Sequence, residues 1–286
     1  IYTCHDTLSL HDALPIWQTL RRVAGECPDA DFLFAGKKEL DITDVAAVRS
    51  AVQGADIVVN CAAYTDVNAA EDNETTAYGV NAFGVKNLAE SVAAENALLI
   101  HISTDYVFGD KENTPISEDA TPTPLNVYGR TKWAGEQAII KSACRHIILR
   151  TSWLYSPYGK NFVKTMLQLM ASRTEIRVVY DQTGSPTNTE DLARAILSII
   201  NTPTPAEGIY HYSNEGVCSW YDFAVAIGEL SGSTCEVSPC LSSDFPSKVH
   251  RPPFSVLNKS KIRNTFNLTI PHWYESLRCS LPQISP

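Results

Sequence analysis

Asp56-Ile57-Val58-Val59-Asn60-Cys61-Ala62 is apolar and largely β-branched on consecutive positions, without the alternation of a strand that is wet on one side. Such a run reads as a strand covered on both faces, the mark of a parallel sheet wrapped by helices. Downstream, Val80, Phe83, Gly84, Asn87, Leu88 and Val92 recur at helical spacing and predict a long helix over residues 77–95. Leu98-Leu99-Ile100-His101-Ile102, a helix over 127–141 and His146-Ile147-Ile148-Leu149-Arg150 follow. Upstream, Asp31-Phe32-Leu33-Phe34-Ala35 ends at Gly36, and residues 44–52 read as a short helix. Strand and helix in alternation predict an α/β fold, a doubly wound, Rossmann-like parallel sheet.

The second half is less regular. Residues 161–171 and 192–200 are amphipathic helices, and Ile209-Tyr210-His211-Tyr212 is a strand. Ser219, with Asp222 three residues on, opens another helix by a capping-box pattern. Pro- and Ser-rich turns fill residues 201–207 and 238–247. The expected organisation is an atypical segment over 1–16 and a nucleotide-cofactor domain over 17–153, with a returning part near 188–212. Residues 154–187 and 213–286 would form a smaller C-terminal substrate-binding module at the sheet's carboxyl edge, where such sheets bind ligands.

Residues 1–16 break the pattern. A dinucleotide-binding sheet should open with a β-branched strand and a Gly-rich turn whose N–H groups face a pyrophosphate. Here His5, Asp6, His11, Asp12 and Pro15 occupy the stretch and no glycine does, whereas residues 17–22 read as the helix that should follow the turn. The segment is therefore expected to be foreign to the fold. It would replace the first strand and the Gly-rich loop, leave a gap at the sheet's centre and weaken cofactor binding.

Composition bounds the function. With 286 residues, 44% hydrophobic and 19% charged, the chain can bury a large core, which excludes a disordered chain. A net charge of −9 argues against nucleic-acid and anionic-membrane partners. No apolar run is long enough to cross a bilayer and no basic-then-apolar leader opens the chain. Eight cysteines without a CxxC pair read as reduced thiols rather than a disulfide framework or a metal site. The expected location is the cytoplasm.

The strongest chemical signal is Tyr128-Gly129-Arg130-Thr131-Lys132 at the start of a helix, preceded by Ser103-Thr104-Asp105 at a strand end. Tyr128 and Lys132, four apart, share one helical face. A nearby ammonium favours the phenolate, so Lys132 is expected to lower the pKa of Tyr128 and make it a general acid toward a carbonyl being reduced. The Thr104 hydroxyl would bond the same oxygen. A tyrosine and a lysine at this spacing also suit an exposed helix face; the strand end beside them decides for chemistry.

These stretches, with Asn60-Cys61-Ala62-Ala63-Tyr64-Thr65, Arg150-Thr151-Ser152-Trp153, Asn161-Phe162-Val163-Lys164, Asp181 to Thr187 and Ser219 to Ala224, resemble the extended short-chain dehydrogenase/reductases. More narrowly they resemble the dTDP-4-dehydrorhamnose reductase family, in order over residues 17–280. The resemblance implies reduction of the 4-keto group of dTDP-4-dehydro-β-L-rhamnose, with hydride from a reduced nicotinamide and the proton from Tyr128. It assigns Lys132 to the nicotinamide ribose and Thr104 to the carbonyl. Ala63, Tyr64 and Thr65 would line the cofactor, with Asp41 and Ile42 near the adenine. Thr104, Asp105, Trp153 and Asn161 would contact the sugar nucleotide. By its residues alone, a Trp after a strand reads more often as core packing than as a ligand contact.

Arg251 suits a diphosphate clamp, or a solvated turn. Asn81 would hold a water in a proton relay or satisfy backbone groups between packed elements. At the end of the second strand, Ala35-Gly36-Lys37-Lys38 offers two lysines and no acid, which favours the 2′-phosphate of NADPH over NADH, with Lys37 as its contact. A Mg2+ ion is an optional addition, and a monomer or homodimer is expected. The alternatives are another sugar-nucleotide 4-ketoreductase or epimerase, or a non-catalytic regulatory subunit on the same scaffold.

Overall fold

The structure, a computed structural model, describes residues 5–10, 15–26, 30–245 and 247–284. Its first half is the predicted alternation. Strands β1 (His5–Leu10), β2 (Ala30–Ala35), β3 (Ile57–Asn60), β4 (Leu98–Thr104) and β5 (Arg145–Thr151) all pair in parallel. Between them run helices α1 (Pro15–Val23), α2 (Val45–Val52), α3 (Val67–Asp72), α4 (Glu74–Tyr78), α5 (Val85–Ala94) and α6 (Val127–Lys141).

Every residue of β3 and β4 is buried, which is why these strands read as continuous apolar runs. Alternate residues serve different layers. Leu98, Ile100 and Ile102 pack with Ile16, Trp17 and Leu20 of α1, while Leu99 packs with Val48 of α2, Leu88 of α5 and Ile139 of α6.

The expected gap at the centre of the sheet is corrected by the structure. β1 lies between β2 and β3, with Thr7 level with Phe32 on one side and Ile57 on the other. A ladder is made by backbone groups, so a run such as HDTLSL can fill the slot without β-branched residues throughout. The segment that should carry a Gly-rich turn, residues 11–14, lies outside the described residues. The predicted helix over 77–95 also changes character: it begins at Glu74, and Gly79–Gly84 between α4 and α5 is a π-helical segment.

Past β5 the chain forms β6 (Leu154–Tyr155), α7 (Phe162–Ser172), β7 (Glu175–Val179), β8 (Thr183–Gly184), β9 (Thr187–Asn188) and α8 (Thr189–Ile200). It then returns as β10 (Gly208–His211), which completes the large sheet in the order β10-β5-β4-β3-β1-β2. β11 (Cys218–Ser219), α9 (Trp220–Ser231), β12 (Glu236–Cys240), α10 (Ser260–Phe266) and α11 (Trp273–Ser280) follow. The capping box opens α9 as the sequence indicates.

One expectation fails in this half. Part of the Pro- and Ser-rich stretch from 238 is strand: β12 pairs with β7, with Pro239 opposite Val178. Pro239 lacks an N–H, yet a two-stranded sheet leaves one side of each strand unpaired, and proline is tolerated there. α10 and α11 are short and carried no clear period. A second apolar core, with Val163, Met166, Ile176, Phe223, Ile227 and Leu277, joins α7, β7, α9 and α11. No described helix is long and apolar enough to cross a membrane.

Strand order 2-1-3-4-5 places a ligand crevice at the carboxyl ends of the strands, beside the β1/β3 switch point. β4 and β5 end on that edge at Thr104 and Thr151, which are register partners.

Candidate active site

α6 begins where several elements converge. Asn126 caps it by accepting from Gly129 N (2.8 Å), and its Nδ2 donates to the His250 carbonyl (3.0 Å). Glu71 at the end of α3 accepts from Val127 N (2.7 Å). A Cβ on Gly129 would stand 2.2 Å from the Tyr106 carbonyl oxygen, so only glycine lets the helix approach the loop after β4 this closely. The approach sets Tyr128 against Tyr106, ring centroids 5.6 Å apart and edge-on.

A cavity of about 340 Å³ opens here. Thr104, Asp105 and Tyr106 after β4, Tyr128 and Lys132 on α6, and Thr151 and Trp153 after β5 line it. Pro15 and Ile16 at the start of α1, and Cys61, Ala63 and Thr65 after β3, line its other side.

Thr104 Oγ1 accepts from Tyr106 N (3.2 Å) and donates to Asp105 Oδ1 (3.0 Å), and it is within hydrogen-bonding reach of the Tyr128 phenol. Burial pushes the Asp105 carboxyl up to about 7, against the opposing hydrogen bond from Thr104. Its second oxygen, Oδ2, makes no close hydrogen bond, although the Ser255 hydroxyl stands near the carboxyl.

One electrostatic expectation is corrected. The Tyr128 pKa is raised, not lowered: burial dominates, and the neighbouring Asp105 and Tyr106 add to it against the Thr104 hydrogen bond. Lys132 is turned elsewhere, its Nζ donating to the Ile102 carbonyl (2.7 Å) and lying 3.4 Å from His101 Nε2. Burial lowers the Lys132 ammonium to about 8, while the Glu136 carboxylate pulls it back up.

Beneath the pair lies a buried polar framework that the sequence reading did not single out. Ser103 Oγ donates to Glu136 Oε1 (2.5 Å), and Arg150 grips Glu136 through Nε (3.0 Å) and Nη2 (2.7 Å). Both partners are almost fully buried, 2% and 0% exposed, which is tolerable only because the pair is bidentate and its remaining lone pairs are used. Arg150 also faces the Phe108 ring at 5.0 Å and His211 Nε2 at 3.5 Å. Burial and Arg150 hold His211 down at about 3. The available signal was spacing, since Glu136 follows Lys132 by four and shares its face.

The other candidates divide by place. Tyr64 stands beside Tyr128 in a small cluster with Ala70, Ala77 and Val127. Asn81 takes the second of its two readings: its Oδ1 accepts from Tyr64 N (2.8 Å), and its Nδ2 donates to Tyr64 O (3.1 Å) and Thr131 Oγ1 (2.9 Å). Lys37 is exposed in the turn after β2. Asp41 accepts from Thr43 N and Oγ1, and buried Ile42 packs over Gly84. None of these three lines the Tyr128 cavity.

Trp153, at φ +50°, joins both of its readings, since it lines the cavity and stacks on Trp220 at 3.5 Å. Asn161 is a helix cap: its Oδ1 accepts from Lys164 N and its Nδ2 donates to the Ser156 carbonyl (2.8 Å). It lines neither the Tyr128 cavity nor the one described next.

A wider cavity of about 700 Å³ is lined by Phe162, Trp220 and Phe245, by Asp181 and Gln182, and by Lys248, His250 and Arg251. Arg251 lines this cavity and its guanidinium reaches the phenol of Tyr106, which lines the other. It also donates to Asn68 Oδ1 (3.3 Å) and Ser247 Oγ (3.2 Å). Among the described residues, no cluster of three or more His, Cys, Asp or Glu is placed to hold a metal, so the optional Mg2+ gains no support.

Residues 19–285 match the sequence pattern of the RmlD substrate binding domain. A dTDP-4-dehydrorhamnose reductase of Mycolicibacterium smegmatis is 44% identical over 243 residues, 84% of this chain and 74% of that protein. A probable dTDP-4,6-dihydroxy-2-methyloxan-3-one 4-ketoreductase of Streptomyces antibioticus is 38% identical over 271 residues, 93% of this chain and 91% of that protein. Among solved structures, a dTDP-4-dehydrorhamnose reductase of Bacillus anthracis in complex with NADP superposes with a TM-score of 0.94 at 36% identity, covering 98% of this chain and 100% of that one.

Proposed function

We infer, from the premise that the chain belongs to the RmlD substrate-binding-domain family, that it is an NADPH-dependent oxidoreductase. It reduces the 4-keto group of dTDP-4-dehydro-β-L-rhamnose to give dTDP-L-rhamnose. The observation that carries the chemistry is one cavity shared by Thr104, Tyr128 and Lys132, with the β1/β3 crevice opening on its other side.

The residues present fit a nicotinamide at the β4 end. Asp105 Oδ2 is a polar atom without a close hydrogen bond in the cavity wall, and the start of α1 enters from the cofactor side. When bound, the reduced nicotinamide supplies hydride to the carbonyl carbon. The Tyr128 phenol, kept protonated by its burial, delivers the proton to the carbonyl oxygen. Thr104 turns its hydroxyl from Asp105 to polarise that oxygen before transfer. Lys132 would hold the nicotinamide ribose. Ala63, Tyr64 and Thr65 would border the dinucleotide, with Asp41 and Ile42 toward its adenine and Lys37 at the 2′-phosphate.

On the substrate side, Asp105 and Trp153 contact the sugar, with Asn161 holding the chain beside them. Arg251, in the wide cavity and within reach of Tyr106, clamps the diphosphate. The wide cavity, which combines the Phe162, Trp220 and Phe245 rings with polar Gln182 and Ser242 and cationic Lys248 and Arg251, suits the nucleotide. Residues 154–187 and 213–286 thus act as the substrate module of a cofactor domain over 17–153 and 188–212. A reducing, cytoplasmic setting suits the six described cysteines, all of them free thiols.

Turnover is tested by following NADPH oxidation with dTDP-4-dehydro-β-L-rhamnose and identifying the product. Consumption of both in equal amounts, with dTDP-L-rhamnose formed, is expected. Oxidation only with a different 4-keto sugar nucleotide would move the assignment to a neighbouring 4-ketoreductase, a reading favoured by the Streptomyces relative. No oxidation with any of them would return the chain to the non-catalytic reading.

A further inference from the structure

Thr151 stands at the carboxyl end of β5, level with Thr104 across the parallel ladder, and register partners in a parallel pair point to the same face. It is 4% exposed and lines the Tyr128 cavity. Its neighbours in the chain are both satisfied: Arg150 is clamped on Glu136, and Ser152 Oγ donates to the Ser185 carbonyl at 2.9 Å. Thr151 Oγ1 has no partner. Of the buried side-chain oxygens left without a close hydrogen bond, two lie in this cavity, Asp105 Oδ2 and Thr151 Oγ1.

A buried hydroxyl without a partner is a standing cost to the fold, and each such group in a protein calls for an explanation. The strand fixes the backbone of Thr151 between Arg150 and Ser152, so its hydroxyl has only the staggered χ1 positions at that point from which to find a partner. Its position beside Thr104, where the carbonyl is held, supplies the explanation.

We propose that the Thr151 hydroxyl is a further ligand-binding group of the catalytic cavity, hydrogen-bonding a polar group of the bound reactants. The proposal rests on the functional reading above. The bound reactants would offer two groups with donor and acceptor atoms, a hydroxyl of the keto sugar and the carboxamide of the nicotinamide, and one threonine hydroxyl could serve either. It complements Thr104: one strand-end hydroxyl faces the reacting oxygen, and its register partner fixes the orientation of the molecule that carries or reduces it. Thr151 is then a positioning and specificity residue that leaves the proton path untouched.

The test is Thr151→Val, which keeps the branched shape and removes only the hydroxyl, with Thr151→Ser as the restoring variant. Three quantities are read on the full chain: the Tm of the ligand-free protein, the Kd for NADPH by fluorescence titration, and the KM for the sugar nucleotide. Ligand-free Thr151→Val should melt at the same temperature as the parent or higher, because an unsatisfied polar group is gone. Ligand binding should weaken by roughly 5- to 20-fold, the worth of one buried hydrogen bond, and Thr151→Ser should recover most of it.

Loss in the NADPH Kd identifies the carboxamide as the partner. An unchanged NADPH Kd with a raised KM identifies the sugar hydroxyl. Unchanged Kd and KM overturn the proposal, and so does a Tm lowered by several degrees, which would mark the hydroxyl as part of the fold. Failure of the functional reading is separate: it shows as a parent protein that neither binds NADPH nor turns over.

Discussion

The carboxyl ends of β4 and β5 and the start of α1 face the same cavity on opposite physical terms. On the β4/β5 side, function depends on side-chain identity, and the supporting groups are locked: Ser103, Glu136, Arg150 and His211 form one buried framework under Thr104, Tyr128 and Lys132. On the α1 side, function depends on backbone. A diphosphate is held by N–H groups that glycines allow to come close, yet the chain has no glycine before Gly25. A strand slot tolerates foreign sequence because its hydrogen bonds are made by the backbone. A phosphate turn does not, because there the backbone must take shapes that side chains forbid.

Four variants break or sharpen this contrast. Glu136→Gln should have the largest effect on the rigid side, because it leaves the Arg150 charge buried without its carboxylate. A loss of about 3–5 kcal/mol is expected, read as a lower urea midpoint. Removing Glu136 also removes the charge that supports the Lys132 ammonium, so the alkaline limb of turnover should move below pH 8.

A pH titration of stability comes next. Asp105 has its folded pKa raised to about 7, so between pH ~4 and ~7 the folded state holds a proton that the unfolded chain has released. This contribution is complete below the unfolded value and is lost as pH rises through 7. Asp105→Asn should flatten that limb of the urea midpoint against pH. Lys132, lowered to about 8, has the opposite sign: stability is gained from pH 8 toward the unfolded value near 10.5.

Two glycine substitutions give the smaller effects, with opposite signs. An added methyl normally favours a helix by up to ~1 kcal/mol. Gly129→Ala should instead lose about 1–3 kcal/mol, since its Cβ meets the Tyr106 carbonyl oxygen at 2.2 Å. Nothing lies within 4 Å of a Cβ on Gly25, past the end of α1, so Gly25→Ala should gain up to ~1 kcal/mol. Thermal melts of the two variants side by side would show whether the two regions differ in packing as described.

The sequence made the sheet legible wherever a strand was buried on both faces, because consecutive apolar residues have few other uses. It made the candidate pair Tyr128 and Lys132 legible because the strand end at Ser103-Thr104-Asp105 stood beside their helical spacing. Three things were out of reach for physical reasons. The β1 slot is filled by backbone pairing, which leaves little mark on residue type. The direction of Lys132, toward the Ile102 carbonyl rather than the phenol, is set by tertiary packing. Glu136 carried a signal at the right spacing, but a glutamate on a helix reads as solvated until its burial against Arg150 is seen. Asn161 belongs with these, since a substrate ligand and a helix cap use the same residue type, and the structure shows the cap.

The account rests most directly on Tyr128 as the proton donor in a cavity that holds the cofactor independently of it. The deciding measurement is the Tyr128→Phe variant, assayed for turnover with dTDP-4-dehydro-β-L-rhamnose and titrated with NADPH by fluorescence. Turnover should fall by about 10²–10⁴-fold with the NADPH Kd unchanged. Turnover within a few-fold of the parent would contradict the account, because the proton would then come from another group.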